Sequence, residues 1–242
     1  MNQSNETRSP IVANLPNLLT LINLFCGCLA IVCVFNNKLY IVPYLVMLAA
    51  AVDFADGFVA RALKVSSPLG VQLDSLADMV TFGVVPGMVI FELLRSIYGN
   101  DVPMAYTAPA FMLTLFSALR LAKFNIDTRQ TNGFLGLPTP SSTLFVVSLI
   151  LILSNDKYGL SFYILKPAVL YAITVILSFL LISEIPMFAL KIKSTDWDSN
   201  KVQALFVVYS LALLATFGGL GVGLIIVSYI LLSVVQWLVS KV

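Results

Sequence analysis

Histidine is absent from the chain. A Ser-His-Asp arrangement cannot be assembled without it, nor can a covalent intermediate form on an imidazole. Cysteine is scarce: Cys26, Cys28 and Cys33 share one apolar run, and their spacing fits no metal site and no disulfide framework. They read as small, polarizable packing residues. Charge is thin, with 11% of residues ionisable against roughly 25% in a soluble globular domain. A formal net charge of +2 points to no nucleic-acid partner. No segment alternates as a membrane barrel strand does, and no repeat, low-complexity tract or soluble domain is visible.

What is present is apolar length. Hydrophobic residues make up 59% of the 242, and the mean hydropathy is +0.96. Crossing ~30 Å of hydrocarbon takes roughly 20 mainly apolar residues in a helix. Eight segments qualify: 16–35, 41–64, 70–98, 103–124, 139–155, 162–182, 202–218 and 220–240. The fifth and seventh are short, and the last two meet at the turn "FGGLGVG". The chain is therefore expected to be one all-α integral membrane domain spanning 1–242. The start, "MNQSNETRSP", lacks the pattern of a cleaved signal peptide, so the first segment is expected to remain as an anchor.

Basic residues set the expected orientation. With the N-terminus cytoplasmic, one side collects Arg8, Arg61, Lys64, Arg120, Lys123, Arg129, Lys191, Lys193, Lys201 and Lys241. Lys38, Arg95, Lys157 and Lys166 fall on the other, so the positive-inside rule favours that orientation. Glu92 and Arg95 read as a local pair on the third segment, and Asp196 and Asp198 as solvated loop charges. Glu184, just before Pro186, reads as a cap on a broken helix.

Against this background "DFADGFVARALKVSSPLGVQLDSLADMV", residues 53–80, is anomalous. Asp53 and Asp56 lie three apart near the end of the second segment, and Asp74 and Asp78 four apart at the start of the third. Those spacings put each pair on one helix face. The short "KVSSPLG" link lets the faces converge, and Asp56 lies about 12 Å from the helix end at Lys64. The cluster is expected in a watery notch at the cytoplasmic headgroups. On insertion scales an Asp at a helix centre costs roughly 2.5–3.5 kcal/mol. Two carboxylates ~4 Å apart repel by about 4 kcal/mol at an effective dielectric of ~20. Arg61 offsets only one charge. Hard oxygen ligands in such a group suit Mg²⁺ or Mn²⁺, and four carboxylates are enough to bridge two ions. Small residues near the acidic faces, Gly57, Ala60 and Gly70, let a flat ligand approach the backbone; they also permit close helix packing.

The pattern Asp-x2-Asp-Gly-x2-Ala-Arg-x8-Gly-x3-Asp-x3-Asp resembles the signature of the CDP-alcohol phosphotransferases at every specified position, and the resemblance extends over 14–140. It implies a six-helix catalytic core, 14–192, and says nothing of the two additional C-terminal helices within 202–240. It further implies two divalent ions held by Asp53, Asp56 and Asp74, with Asp78 near a metal and acting as general base. Arg61 would hold a diphosphate, and Gly57, Ala60 and Gly70 would flank cytidine, with Asn17 and Thr20 as contacts. The substrate so implied is CDP-diacylglycerol, attacked at the lipid-side phosphorus by a hydroxyl while CMP leaves.

The stretches "NLPNLLTLINLFCG", "SALRLAKFN" and "FLGLPTPSS" are similar to those of bacterial and archaeal family members that make phosphatidylserine, which points to L-serine as acceptor. Arg120, Lys123 and Asn125 are the candidate serine site. Arg120 lies a turn deeper than Lys123, and interfacial anchoring is the plainer role for both. Glycerol 3-phosphate and inositol phosphate are the other acceptors of the class. A cation-coupled transporter is the alternative of a different kind, although its repeat symmetry and broken midplane helices are not visible. The polyprenyl transferases need a second Asp-rich motif that this chain lacks. A homodimer in the cell membrane, with the site facing the cytoplasm, completes the expectation.

Overall fold

A computed structural model describes residues 14–63, 65, 67–99, 101–127, 134–188 and 197–239. Arg8, Lys64, Arg129, Lys191, Lys193, Asp196 and Lys241 lie outside them.

The described residues form eight apolar helices: α1 Leu15–Phe35, α2 Val42–Leu63, α3 Pro68–Tyr98, α4 Met112–Ile126, α5 Thr139–Ser154, α6 Pro167–Ile182, α7 Trp197–Phe217 and α8 Gly219–Val239. Six helical stretches are long and apolar enough to cross a membrane, α4 with the turns from Met104 that lead into it. The two shorter ones are α5 and α6, at 16 residues each. The expected short seventh segment is instead a 21-residue helix that begins at Trp197. Asp198 therefore sits in a first helical turn and not in a loop. The chain is a multi-pass membrane protein.

The core draws on α1 to α6 and on α8, with Val34, Val46, Phe82, Leu113, Val146 and Leu170 all buried. Cys26 is buried within it, Cys33 is half-buried and Cys28 faces outward, all three as free thiols. The Glu92–Arg95 pair forms, at 2.9 Å.

Two local devices position the site. Helix α3 starts on Ser67, whose hydroxyl accepts from the Gly70 backbone N–H at 2.9 Å, with Pro68 in the first turn. That cap and a rigid proline start the helix sharply after the link from α2. Further along, α3 widens into a π segment over Met79–Val84, immediately after Asp78. A wide turn breaks the regular ladder, as such bulges do at functional sites. Here neighbouring threonines donate to the peptide carbonyls: Thr143 to Phe82 and Thr114 to Gly83, both at 2.9 Å. Thr81 in turn donates to the Asn23 carbonyl at 3.1 Å, and a side chain at Gly27 would collide with Thr81. Helices α1 and α3 are therefore locked together beside the acidic residues.

Among the described residues there is also one minimal strand pair, Phe134–Leu135 (β1) against Pro186–Met187 (β2), which no sequence pattern announces. Gly136 follows with φ +75°, and the space of its missing side chain is occupied by the carbonyls of Leu181 and Ser183. Its N–H donates to Ile185 O at 2.9 Å. This turn ties the entry of α5 to the exit of α6.

Candidate active site

Asp53 and Asp56 project from α2 and Asp74 from α3. One carboxylate oxygen of each lies within 4.8 Å of the others. Asp78, one turn beyond Asp74, stands beside this trio, in electrostatic contact with Asp53 and Asp74. Helix α1 supplies donors to the group. The Thr20 hydroxyl donates to Asp56 Oδ2 at 2.7 Å. The Asn23 amide Nδ2 reaches Asp78 Oδ1 at 3.2 Å and Asp53 Oδ1 at 3.4 Å. Both donors are buried.

Asn23 is the participant that the sequence reading missed. Its signal was available: Asn17, Thr20 and Asn23 recur every three residues along an otherwise apolar helix, which puts them on one face. Thr20, expected near the nucleotide, donates its hydroxyl proton to a carboxylate.

Two neutral donors cannot balance four clustered carboxylates. Oxygen-only ligands, closely grouped and part-buried, match the requirements of a hard divalent cation. The residues present therefore fit such an ion, with Asp53, Asp56 and Asp74 as the set that converges.

Around the trio the small residues leave room. Arg61 is exposed, and its guanidinium lies over Gly57, where an added Cβ would sit 3.3 Å from one of its nitrogens. Gly70 faces Asn17, whose Oδ1 would be 3.0 Å from an added Cβ. Ala60 lies half-buried on the same helix, one residue before Arg61.

The candidate acceptor residues separate. Arg120 is only 7% exposed, which is not how an interfacial anchor sits. Its guanidinium carbon is 5.8 Å from the Phe124 ring centroid, and its Nε has no hydrogen-bond partner. Asp78 and Tyr229 of α8 both lie close enough to act on its charge. Arg120 also lines a cavity of about 360 Å³ shared with Lys123, Phe124, Asp127, Ser183 and Glu184. Asn125 is not on that wall: its amide donates to Ser75 at 2.9 Å and ties α4 to α3. Glu184 follows the end of α6, where Ser183 holds the cap position, so it is a cavity residue and not a helix cap.

The sequence profile described as CDP-alcohol phosphatidyltransferase matches residues 13–181, and the chain belongs to that family. Individual relatives narrow the resemblance. A CDP-diacylglycerol–serine O-phosphatidyltransferase of Helicobacter pylori (strain ATCC 700392 / 26695) is 29% identical over 227 residues, covering 92% of this chain and 90% of that protein. Its counterpart from Helicobacter pylori strain J99 is 34% identical over 59% of each chain. The enzyme of the same name from Bacillus subtilis (strain 168) is 33% identical over 56% of this chain and 74% of its own.

Proposed function

We propose that the protein transfers the phosphatidyl group of CDP-diacylglycerol to the hydroxyl of L-serine, giving phosphatidylserine and CMP by direct displacement. The observation that carries this reading is the convergence of Asp53, Asp56 and Asp74 within the complete acidic signature, one carboxylate oxygen of each within 4.8 Å of the others. A buried Arg120, close enough to Asp78 to feel its charge, lines a cavity of its own. The relatives' activity agrees with it.

In this reading Asp53, Asp56 and Asp74 would hold a divalent cation, and with Asp78 beside them the four carboxylates would suffice for two. When bound, Mg²⁺ or Mn²⁺ neutralises phosphate charge and sharpens the electrophile. The chain's own residues do the rest. Arg61 grips the diphosphate with a fork matched to phosphate oxygens. Gly57, Ala60 and Gly70, with Asn17 at the edge and Thr20 behind Asp56, keep the nucleotide side open to a flat base. Asp78, oriented by Asn23, takes the proton as the serine oxygen bonds to phosphorus. The bond from phosphorus to the CMP oxygen breaks, and its electron pair leaves with CMP. Such transfer is mainly positioning and charge neutralisation. Arg120 and Lys123 hold the acceptor, and Asn125 supports their helix.

Orientation with the acidic end toward the cytoplasm follows from the basic residues and lets acyl chains stay in lipid while the nucleotide meets water. The division into a core over 14–192 and a C-terminal pair within 202–240, and a homodimeric assembly, belong to the same proposal.

The test is purified protein with CDP-diacylglycerol, Mn²⁺ or Mg²⁺ and labelled serine. Labelled phosphatidylserine and stoichiometric CMP are expected. Transfer to glycerol 3-phosphate and none to serine would overturn the acceptor assignment.

A further inference from the structure

The cavity beside Arg120 is charged in both senses. Arg120 and Lys123 stand on α4, while Asp127 and Glu184 contribute carboxylates at the loop below α4 and past the end of α6. The single residue Ser183 separates the end of α6 from Glu184, and the strand pair and the Gly136 turn hold that segment against the α4–α5 connection. Arg120 is buried, and its Nε is unsatisfied, so a donor of fixed geometry is available in the same cavity.

We propose that this cavity is a zwitterion receptor in which Arg120 takes the carboxylate of an amino-acid acceptor and the Asp127–Glu184 edge takes its ammonium group. The inference rests on the assignment of an alcohol acceptor to this cavity and extends it to selectivity. A dianionic phosphate acceptor gains from Arg120 and Lys123 but meets two carboxylates, a repulsion that a site of low dielectric amplifies. A zwitterion satisfies both charges. Discrimination against the wrong acceptor then comes from an opposing charge, the usual route to specificity where attraction alone is shared.

The experiment compares L-serine with L-glycerate, which keeps the carboxylate and primary hydroxyl but has a second hydroxyl where serine has its ammonium. Both are assayed with the full-length protein, wild type and the double variant Asp127→Asn/Glu184→Gln. Wild type should prefer serine. In the double variant the serine KM should rise roughly tenfold, the scale of one charge-assisted hydrogen bond, while the glycerate KM falls or stays level. Turnover with glycerate shows that the variant is folded. An unchanged serine-to-glycerate preference overturns the proposal, as does equal loss with both acceptors. Wild-type protein that transfers to neither defeats the underlying acceptor reading as well. Wild-type turnover with glycerol 3-phosphate in their place overturns the zwitterion receptor while leaving the phosphatidyl-transfer reading intact.

Discussion

Asn23 donates through one amide nitrogen to carboxylates on two different helices. Outer-shell partners of this kind typically contribute 10- to 100-fold to affinity or turnover. Asn23→Ala should therefore lower kcat by roughly that factor with the protein still folded, as measured by turnover and thermal unfolding in detergent. The acidic residues carry a sharper expectation: Asp53→Asn, Asp56→Asn and Asp74→Asn should each abolish transfer, and chelation should do so reversibly. Full turnover in EDTA after metal stripping would contradict it. Asp78→Asn should keep CDP-diacylglycerol binding better than Asp74→Asn does while losing transfer, since a base is needed for the proton and not for the nucleotide. Equal loss of binding would make Asp78 a ligand only. Arg120→Lys retains charge but not the bidentate fork, so it should raise the serine KM far more than that for CDP-diacylglycerol.

At the scale of elements, the parts visible in the sequence were those governed by contacts within one helix. Asp53 with Asp56, Asp74 with Asp78 and Glu92 with Arg95 follow from 3.6 residues per turn, and spacing alone places them. Partnerships between helices were not visible. Nothing local says that Asn23 will meet Asp53 and Asp78, that α3 will widen after Asp78, or that Glu184 and Arg120 will line one cavity. Each depends on how distant segments pack, as does the two-residue strand pair. The widened turn makes its own prediction. Thr143→Val keeps the shape but strips the donor from the buried Phe82 carbonyl, which should cost about 1–3 kcal/mol. Unfolding in denaturant would read that loss, with turnover falling alongside because Asp78 is next to the segment.

For the molecule as a whole, the family profile ends at 181, yet α8 reaches the site. Ser233 accepts from the Phe188 N–H at 3.0 Å and donates to the Tyr229 carbonyl, and the Tyr229 ring packs on Phe206 with centroids 6.3 Å apart. Tyr229 is buried in the core by its ring and lies close enough to Arg120 to act on its charge. Tyr229→Phe should raise the serine KM several-fold and spare that for CDP-diacylglycerol, and its effect should shrink in an Arg120→Lys background, because groups acting on one another are not additive.

The hydrogen bonds from α1 to the aspartates also bear on how the chain is made. Synthesis runs from the N-terminus, so Thr20 and Asn23 are in the bilayer before Asp53, Asp56, Asp74 and Asp78 emerge. Arg120 is not translated until more than forty residues after Asp78. For that interval the nascent protein must shelter four carboxylates without its buried cation. Two uncharged side chains on the first helix, already in place and aimed at three of those carboxylates, give them protein partners on arrival. The polar face of α1 thus acts twice, first as an escort for membrane insertion and afterwards as part of the finished site.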